Sequence, residues 1–161
     1  MKRVLFLATI WAMVAACGGN SKPEENPYVM KGGSPEAQAA ANENPSYDPQ
    51  RGEGKFTKVD IAPALDAAMA EKGLKVYEVK CNSCHKLTDE KLVGPGWKDV
   101  TKRRTPEWIM NFVTNTDKML DKDPAAQAQL EICLVRMPNQ NVSDDDARSL
   151  YEFMRKNDGV K

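Results

Sequence analysis

The chain has 161 residues, 41% of them hydrophobic and 29% charged, a composition that fits one globular domain with an appendage and excludes two full-sized domains. Its 23 basic and 23 acidic residues cancel, so there is no strong basic field to hold a nucleic acid. No apolar run reaches the roughly 20 residues of a membrane-spanning helix, and the single histidine excludes multi-histidine zinc and copper sites.

The N-terminus reads as a secretory signal. Lys2 and Arg3 precede a continuous apolar stretch over Val4–Ala16, and Cys17 follows directly. The small residues before this cysteine resemble the lipobox of bacterial lipoproteins, which implies cleavage before Cys17 and acylation of its thiol. We therefore predict a lipoprotein signal peptide over 1–16 and an envelope protein that faces the periplasm on a lipid anchor. The alternative is an ordinary signal peptide cut after Ala16, which leaves a free thiol.

Residues 17–55 are predicted to form a flexible tether. This segment has no apolar periodicity and contains five prolines among Gly, Asn, Ser and Glu. The remaining residues, 56–161, are long enough for one domain. The predicted order is therefore signal peptide, tether and a single C-terminal domain.

Four helices and no strands are predicted in residues 56–161. The first covers Asp60–Cys81, and the second begins at Pro106 with Thr105 as its cap. Asp123 followed by proline starts the third, and Ser143 followed by three aspartates starts the fourth. The domain is predicted to be all-α, with a modest core unless a large apolar group fills its centre.

The chemistry-bearing motif follows the first predicted helix. Cys81, Cys84 and His85 form Cys-x-x-Cys-His, the attachment sequence for haem c, in which two thiols add to vinyl groups and the imidazole ligates iron. A zinc site would need further ligands, and Cys133 is the one cysteine left unassigned. A thioredoxin-like dithiol would need a strand before the motif. The sequence therefore favours one covalent haem c.

Motifs on both sides of this site have the order of a known family. They resemble the class I bacterial cytochromes c over about Ala64 to Lys156. The matching elements are Gly73 and Tyr77 before the motif, Leu92 to Val100 with a Gly-Pro turn after it, Met137-Pro138, and Val142 to Ala147. The resemblance implies the class I cytochrome c fold, with helices wrapped around one covalently bound haem.

The same resemblance implies two contacts. The first and last helices would cross, with Gly73 and Tyr77 against Leu150 and Phe153. The carbonyl of Pro95 would accept a hydrogen bond from the ring of His85, which fixes the ring and raises its basicity.

The sixth iron ligand is predicted to be a methionine. One histidine excludes bis-histidine ligation, and four methionines follow the motif. Met110 and Met154 lie in helical patterns, where methionine is usually core filler. Met137 lies between helices, precedes a proline and matches the family's axial position, whereas Met119, in a predicted loop, is the alternative ligand.

Iron closed by His85 and Met137 predicts electron transfer and no catalysis at the metal. We expect a membrane-anchored periplasmic carrier without a small-molecule substrate, docking transiently to redox partner proteins at the haem edge. The tethered form resembles cytochromes that link a quinol-oxidising complex to a terminal reductase or oxidase, nitrous oxide reductase included. The alternatives are a haem-based redox or gas sensor, or a small peroxidase, with an open or labile sixth site.

Two further features stay open. A basic cluster after the Gly-Pro turn could guide an acidic partner, pair with haem propionates or form a solvated face; its members are Lys98, Lys102, Arg103 and Arg104. Cys133 lies on an apolar stripe, which predicts a buried inert thiol, with an intermolecular disulfide as the alternative.

Overall fold

The computed structural model describes residues 47–161, so the predicted signal peptide, Cys17 and the tether up to residue 46 lie outside the described residues. This part of the chain contains six helices and, apart from an isolated bridge between His85 and Lys91, no β-structure. The all-α prediction is confirmed. The helices are α1 (Ala67–Lys80), α2 (Val100–Arg103), α3 (Pro106–Thr114), α4 (Thr116–Lys122), α5 (Pro124–Cys133) and α6 (Asp144–Asn157).

Within residues 47–161, no helix combines the length and the apolar character needed to cross a membrane.

Helix α1 is shorter than the sequence predicts. It begins at Ala67, whereas the prediction placed its start at Asp60. The physical reason is Pro63, since proline disfavours helical backbone in the residue before it. Asp66 then supplies the cap, because its side chain accepts a hydrogen bond from the backbone N of Met69 at 2.8 Å.

Helices α1 and α6 cross in close contact. A Cβ added to Gly73 would lie 2.0 Å from the backbone oxygen of Ser149 and 2.8 Å from Cβ of Phe153, so this crossing needs a glycine. The rings of Tyr77 and Phe153 lie 5.4 Å apart. The implied contact between the first and last helices is therefore present, with Ser149 as the closest neighbour of Gly73.

The other predicted helix starts lie where their caps place them. The side chains of Thr105, Asp123 and Ser143 each accept a hydrogen bond from a backbone N three residues later. Such bonds satisfy donors that the helix itself leaves unpaired.

The sequence predicted four helices and missed two, the four-residue α2 and the longer α4. The seven residues of α4 follow Asn115, whose side chain makes no capping hydrogen bond, so neither a cap nor a long apolar period marks it. Met119 therefore lies in a helix and is fully buried, and the prediction that it lies in a loop was wrong.

Residues 47–59, here called the strap, lie against α3 and α4. The amide of the buried Asn111 donates to the carbonyls of Arg51 and Phe56 at 2.9 and 3.0 Å. Its oxygen accepts from the backbone N of Phe56 at 2.9 Å. A Cβ on Gly54 would lie 2.2 Å from that oxygen. Residues 47–55, which the sequence assigns to the tether, thus pack on the domain.

Candidate functional site

The Cys-x-x-Cys-His motif continues the last turn of α1. The backbone N of Cys81 donates to the Tyr77 carbonyl at 2.9 Å, and the backbone N atoms of Cys84 and His85 donate to the Cys81 carbonyl at 3.0 and 2.9 Å. The hydroxyl of Tyr77 also donates to the His85 carbonyl at 2.7 Å. These bonds hold the two thiols and the imidazole within about one turn of backbone.

The two motif cysteines form no disulfide with each other. Cys81 is buried, and burial raises the pKa of its thiol to about 11. The thiol therefore keeps its proton at neutral pH. Addition of this thiol to a haem vinyl group would form the carbon–sulfur bond of the attachment, with the thiol hydrogen going to the other vinyl carbon.

His85 is fixed by the Gly-Pro turn. The ring is buried, and its Nδ1 lies 2.9 Å from the Pro95 carbonyl oxygen, the contact that the resemblance implies. A Cβ on Gly94 would lie 2.4 Å from Cε1 of the ring, so the turn approaches the imidazole more closely than any other residue would allow.

The environment keeps this imidazole ready to bind a metal. Burial lowers the pKa of His85, and the hydrogen bond to the Pro95 carbonyl acts in the opposite direction. The net result is a neutral ring near pH 7. With Nδ1–H donating to Pro95, the lone pair of Nε2 is available as a ligand.

Met137 lies in the segment after α5 and lines the same cavity as His85. Leu134 ends α5 with a left-handed backbone, φ 59°, and the chain then turns toward the cavity. Met137 is half-buried. Met154 also lines the cavity, but from inside α6, whereas Met119 does not line it.

The cavity between these groups is mainly apolar. Cys84 and His85 lie at one part of the wall, and helices α2 to α6 together with the loops at 93–97 and 135–138 supply the rest. Aliphatic and aromatic side chains dominate: Val93, Val100, Trp97, Trp108, Ile109, Phe112, Val113, Leu120, Leu130 and Val135. The thiol of Cys84, the imidazole of His85 and the thioether of Met137 line this cleft, and Cys81 precedes Cys84 in the same turn. Together they are the donor set of a covalently attached iron porphyrin.

The zinc alternative lacks its ligands in the described residues. Among residues 47–161 there is no group of three or more His, Cys, Asp or Glu side chains that could hold a metal ion. The imidazole has thiols and a thioether as its cavity partners, an arrangement suited to haem iron.

The structure divides the basic cluster. Arg103 and Arg104 line the cavity, and the guanidinium of Arg104 lies 4.5 Å from the centre of the Trp108 ring. Lys98 and Lys102 lie outside the lining and pair with Asp89 and Asp99 at 3.5 and 2.5 Å. The two arginines are therefore the members that could face a propionate.

Helix α5 forms a wall that the sequence did not identify. Gln129, Leu130 and Cys133 line the cavity from this helix, and Leu134, just beyond its last residue, is 84% exposed. Cys133 is half-buried, and its Sγ lies 3.5 Å from Nε2 of Gln129. The thiol that the sequence predicts to be buried is therefore only partly so. Leu130 and Cys133, three residues apart on one face of α5, both line the cavity, so the predicted apolar stripe of Cys133 faces the site.

Comparisons with known proteins agree with this arrangement. The family model described as Cytochrome c matches residues 70–158. The chain is similar to the solved cytochrome c from Rhodothermus marinus, with 29% identity, a TM-score of 0.63, and coverage of 76% of this chain and 97% of that one. No curated protein matches the chain significantly.

Two engineered forms of the Rhodothermus marinus cytochrome c are also similar to this chain. One has 31% identity and a TM-score of 0.65, covering 69% of this chain and 98% of its own. The other, bound to a carbene intermediate, has 31% identity and a TM-score of 0.62 with the same coverage.

Proposed function

Because this chain belongs to the class I monohaem cytochromes c and binds one covalent haem c through Cys81 and Cys84, we propose that it is a lipid-anchored electron carrier. The observation that supports this best is the shared cavity of His85 and Met137, which come from separate segments of the chain. Under the proposal these two side chains would bind the haem iron.

The haem supplies an iron that exchanges one electron between its ferrous and ferric states. The chain's own residues set the conditions for that exchange. Pro95 holds the His85 ring in one orientation. The thioether of Met137 favours the ferrous form and raises the potential, and the apolar wall limits water at the site.

Closed ligation favours a carrier over the two alternatives. A gas sensor or a peroxidase needs an iron position that is open or easily vacated. Met137 lines the cavity, which supports a protein ligand on the sixth position of the iron. Under this proposal the protein performs no catalysis at its iron and takes no small-molecule substrate.

The cavity mouth offers a docking surface for redox partners. Val93 and Val135 line the cavity and are 39% and 52% exposed, and their neighbours Leu92 and Leu134 are 45% and 84% exposed. Nζ of Lys91 donates to the Ile132 carbonyl at 3.0 Å and joins the two sides of this rim. A small apolar patch beside the site suits brief, weak contacts with a partner.

The anchoring and the pathway are proposed from the N-terminal sequence. The lipobox-like ending at Cys17 supports a periplasm-facing lipoprotein, held to the membrane through residues that lead to the strap. Such a tethered carrier fits between a quinol-oxidising complex and a terminal reductase or oxidase, with nitrous oxide reductase as one candidate acceptor.

The test of the site is replacement of Met137. In Met137→Ala, loss of the thioether should convert the ferric iron from low spin to high spin, because water is a weak ligand. Met119→Leu is the matched control, since Met119 is buried outside the cavity lining and should leave the iron low-spin. A low-spin spectrum that survives unchanged in Met137→Ala would refute the ligand assignment.

A further inference from the structure

Asp123 lies at the corner where α4 ends and α5 begins. It is 1% exposed. Its backbone N donates to the Met119 carbonyl at 2.8 Å, which closes α4, and its Oδ1 accepts from the backbone N of Ala126 at 2.7 Å, which opens α5. One residue thus fixes the angle between the two helices.

The second carboxylate oxygen of Asp123 has two further donors. The hydroxyl of Tyr47, in the strap, donates to Oδ2 at 2.5 Å, and Nε1 of Trp108, in α3, donates at 3.0 Å. Burial raises the pKa of Tyr47, and the hydrogen bond to Asp123 raises it further, so the phenol keeps its proton and donates. A buried carboxylate with three donors is held firmly in one position.

The strap is attached to the same corner at a second point. The backbone N of Glu53 donates to Sδ of Met119 at 3.0 Å, and a Cβ on Gly52 would lie 2.7 Å from that sulfur. The carbonyl of Glu53 accepts from the side-chain amide of Asn115 at 3.1 Å. Tyr47 is therefore part of a segment that is itself anchored on α4.

Helix α5 connects this corner to the part of the cavity wall that contains Met137. Helix α5 begins directly after its cap Asp123, lines the cavity and ends at Cys133, four residues before Met137. Arg136, next to Met137, donates to Oδ1 of Asp121 at 2.8 Å and so ties the segment after α5 back to α4. A change in the angle between α4 and α5 therefore moves the segment that carries Met137.

We propose that Asp123 is a positioning residue for the Met137 ligand and that Tyr47 of the strap holds Asp123 in place. The inference rests on the proposed function, in which Met137 binds the iron. It assigns the strap a role at the site: the hydroxyl of Tyr47 limits how often the thioether leaves the sixth position. A free ligand that competes for this position reports that frequency directly.

The experiment is an imidazole titration of the full-length, haem-loaded ferric protein. Tyr47→Phe removes one hydroxyl and should raise the apparent imidazole affinity about fivefold, since a hydrogen bond to a carboxylate is lost from the corner. Asp123→Asn leaves an acceptor for the cap of α5 but removes the charge, and should raise the affinity at least as much.

The matched control is Thr101→Val. The hydroxyl of Thr101 donates to Oδ2 of Asp158 at 2.7 Å, so this variant also removes one hydroxyl-to-carboxylate bond, but far from α5 in the chain and outside the cavity lining. We expect its imidazole affinity to equal that of the native protein, although denaturant titration should show a loss of stability similar to that of Tyr47→Phe.

The variant Met137→Ala distinguishes failure of the proposed function from failure of the positioning role alone. Its imidazole affinity should exceed that of every other variant; if it equals the native affinity, Met137 is not the ligand and the proposed function fails. If Met137→Ala binds imidazole tightly while Tyr47→Phe and Asp123→Asn match the native protein, the positioning role alone is overturned. Equal increases in Tyr47→Phe and Thr101→Val would also overturn it, because the effect would then follow global stability.

Discussion

At the scale of single residues, the site depends on close packing around His85. The hydrogen bond from Nδ1 to the Pro95 carbonyl follows from the resemblance to class I cytochromes c, and the structure has it at 2.9 Å. The need for Gly94 does not follow from the sequence alone. It arises because two loops meet, with the ring 2.4 Å from where a Cβ would lie.

We predict that Gly94→Ala impairs haem attachment. The added methyl group overlaps the His85 ring, so the ring or the turn must move and the hydrogen bond to Pro95 is lost. Haem content per polypeptide, measured on purified protein after co-expression with maturation proteins, should fall severalfold.

The control for this prediction is Gly159→Ala. Gly159 has a positive φ of 94° but no neighbouring atom within 4 Å of an added Cβ. This variant should lose about 1 kcal/mol of stability through backbone strain and keep a normal haem content. Gly94→Ala protein with a full haem content and a native ferric spectrum would contradict the account.

At the scale of helices, the sequence predicted the helix starts that depend on a local cap, but not the features that depend on contacts with distant parts of the chain. The starts of α3, α5 and α6 were predicted because a cap and its bonded backbone N lie three residues apart in sequence. Helix α4 has no such cap, and its stability comes from contacts with α5 and with the strap. The apolar stripe of α5 holds Cys133, which lines the cavity, but the polar Gln129 lies off that stripe and its place in the lining depends on contacts with other elements.

We predict that Gly73→Ala destabilises the crossing of α1 and α6. Alanine is the better helix former by about 1 kcal/mol, but its Cβ would lie 2.0 Å from the Ser149 backbone oxygen, which cannot rotate away. The clash outweighs the propensity, and denaturant unfolding should show a net loss of about 1–3 kcal/mol.

Val79→Ala on the same helix is the comparison. Val79 is 82% exposed, so its truncation should change the free energy of unfolding by no more than about 0.5 kcal/mol. Equal effects of the two substitutions would show that α1 and α6 do not meet at Gly73.

At the scale of the whole molecule, the boundary of the domain was the least predictable feature. Residues 47–55 of the strap were assigned to the tether because they are polar and have no apolar period, yet their backbone is bound by side chains from distant parts of the chain. The amide of Asn111, for example, donates to the carbonyl of Arg51, 60 residues away. Sequence periodicity reports only neighbours within a few turns, so such contacts leave no pattern in the strap itself.

Membrane attachment belongs to this scale too. We predict that Cys17→Ser releases the protein from the membrane fraction, because acylation of this cysteine is the proposed anchor. Cys133→Ser should leave the protein in the membrane fraction, since Cys133 lines the haem cavity. Fractionation of cells that express each variant, followed by haem staining, checks both. A Cys17→Ser protein that stays with the membrane would contradict the lipoprotein assignment.

The most direct measurement is carbon monoxide binding to the native, full-length ferrous protein at neutral pH. An iron held by His85 and Met137 has no open position, so the absorption spectrum should stay unchanged under the gas, while Met137→Ala should bind it at once. Prompt binding by the native protein would mean an open or labile sixth site, and the electron-carrier account would then be wrong.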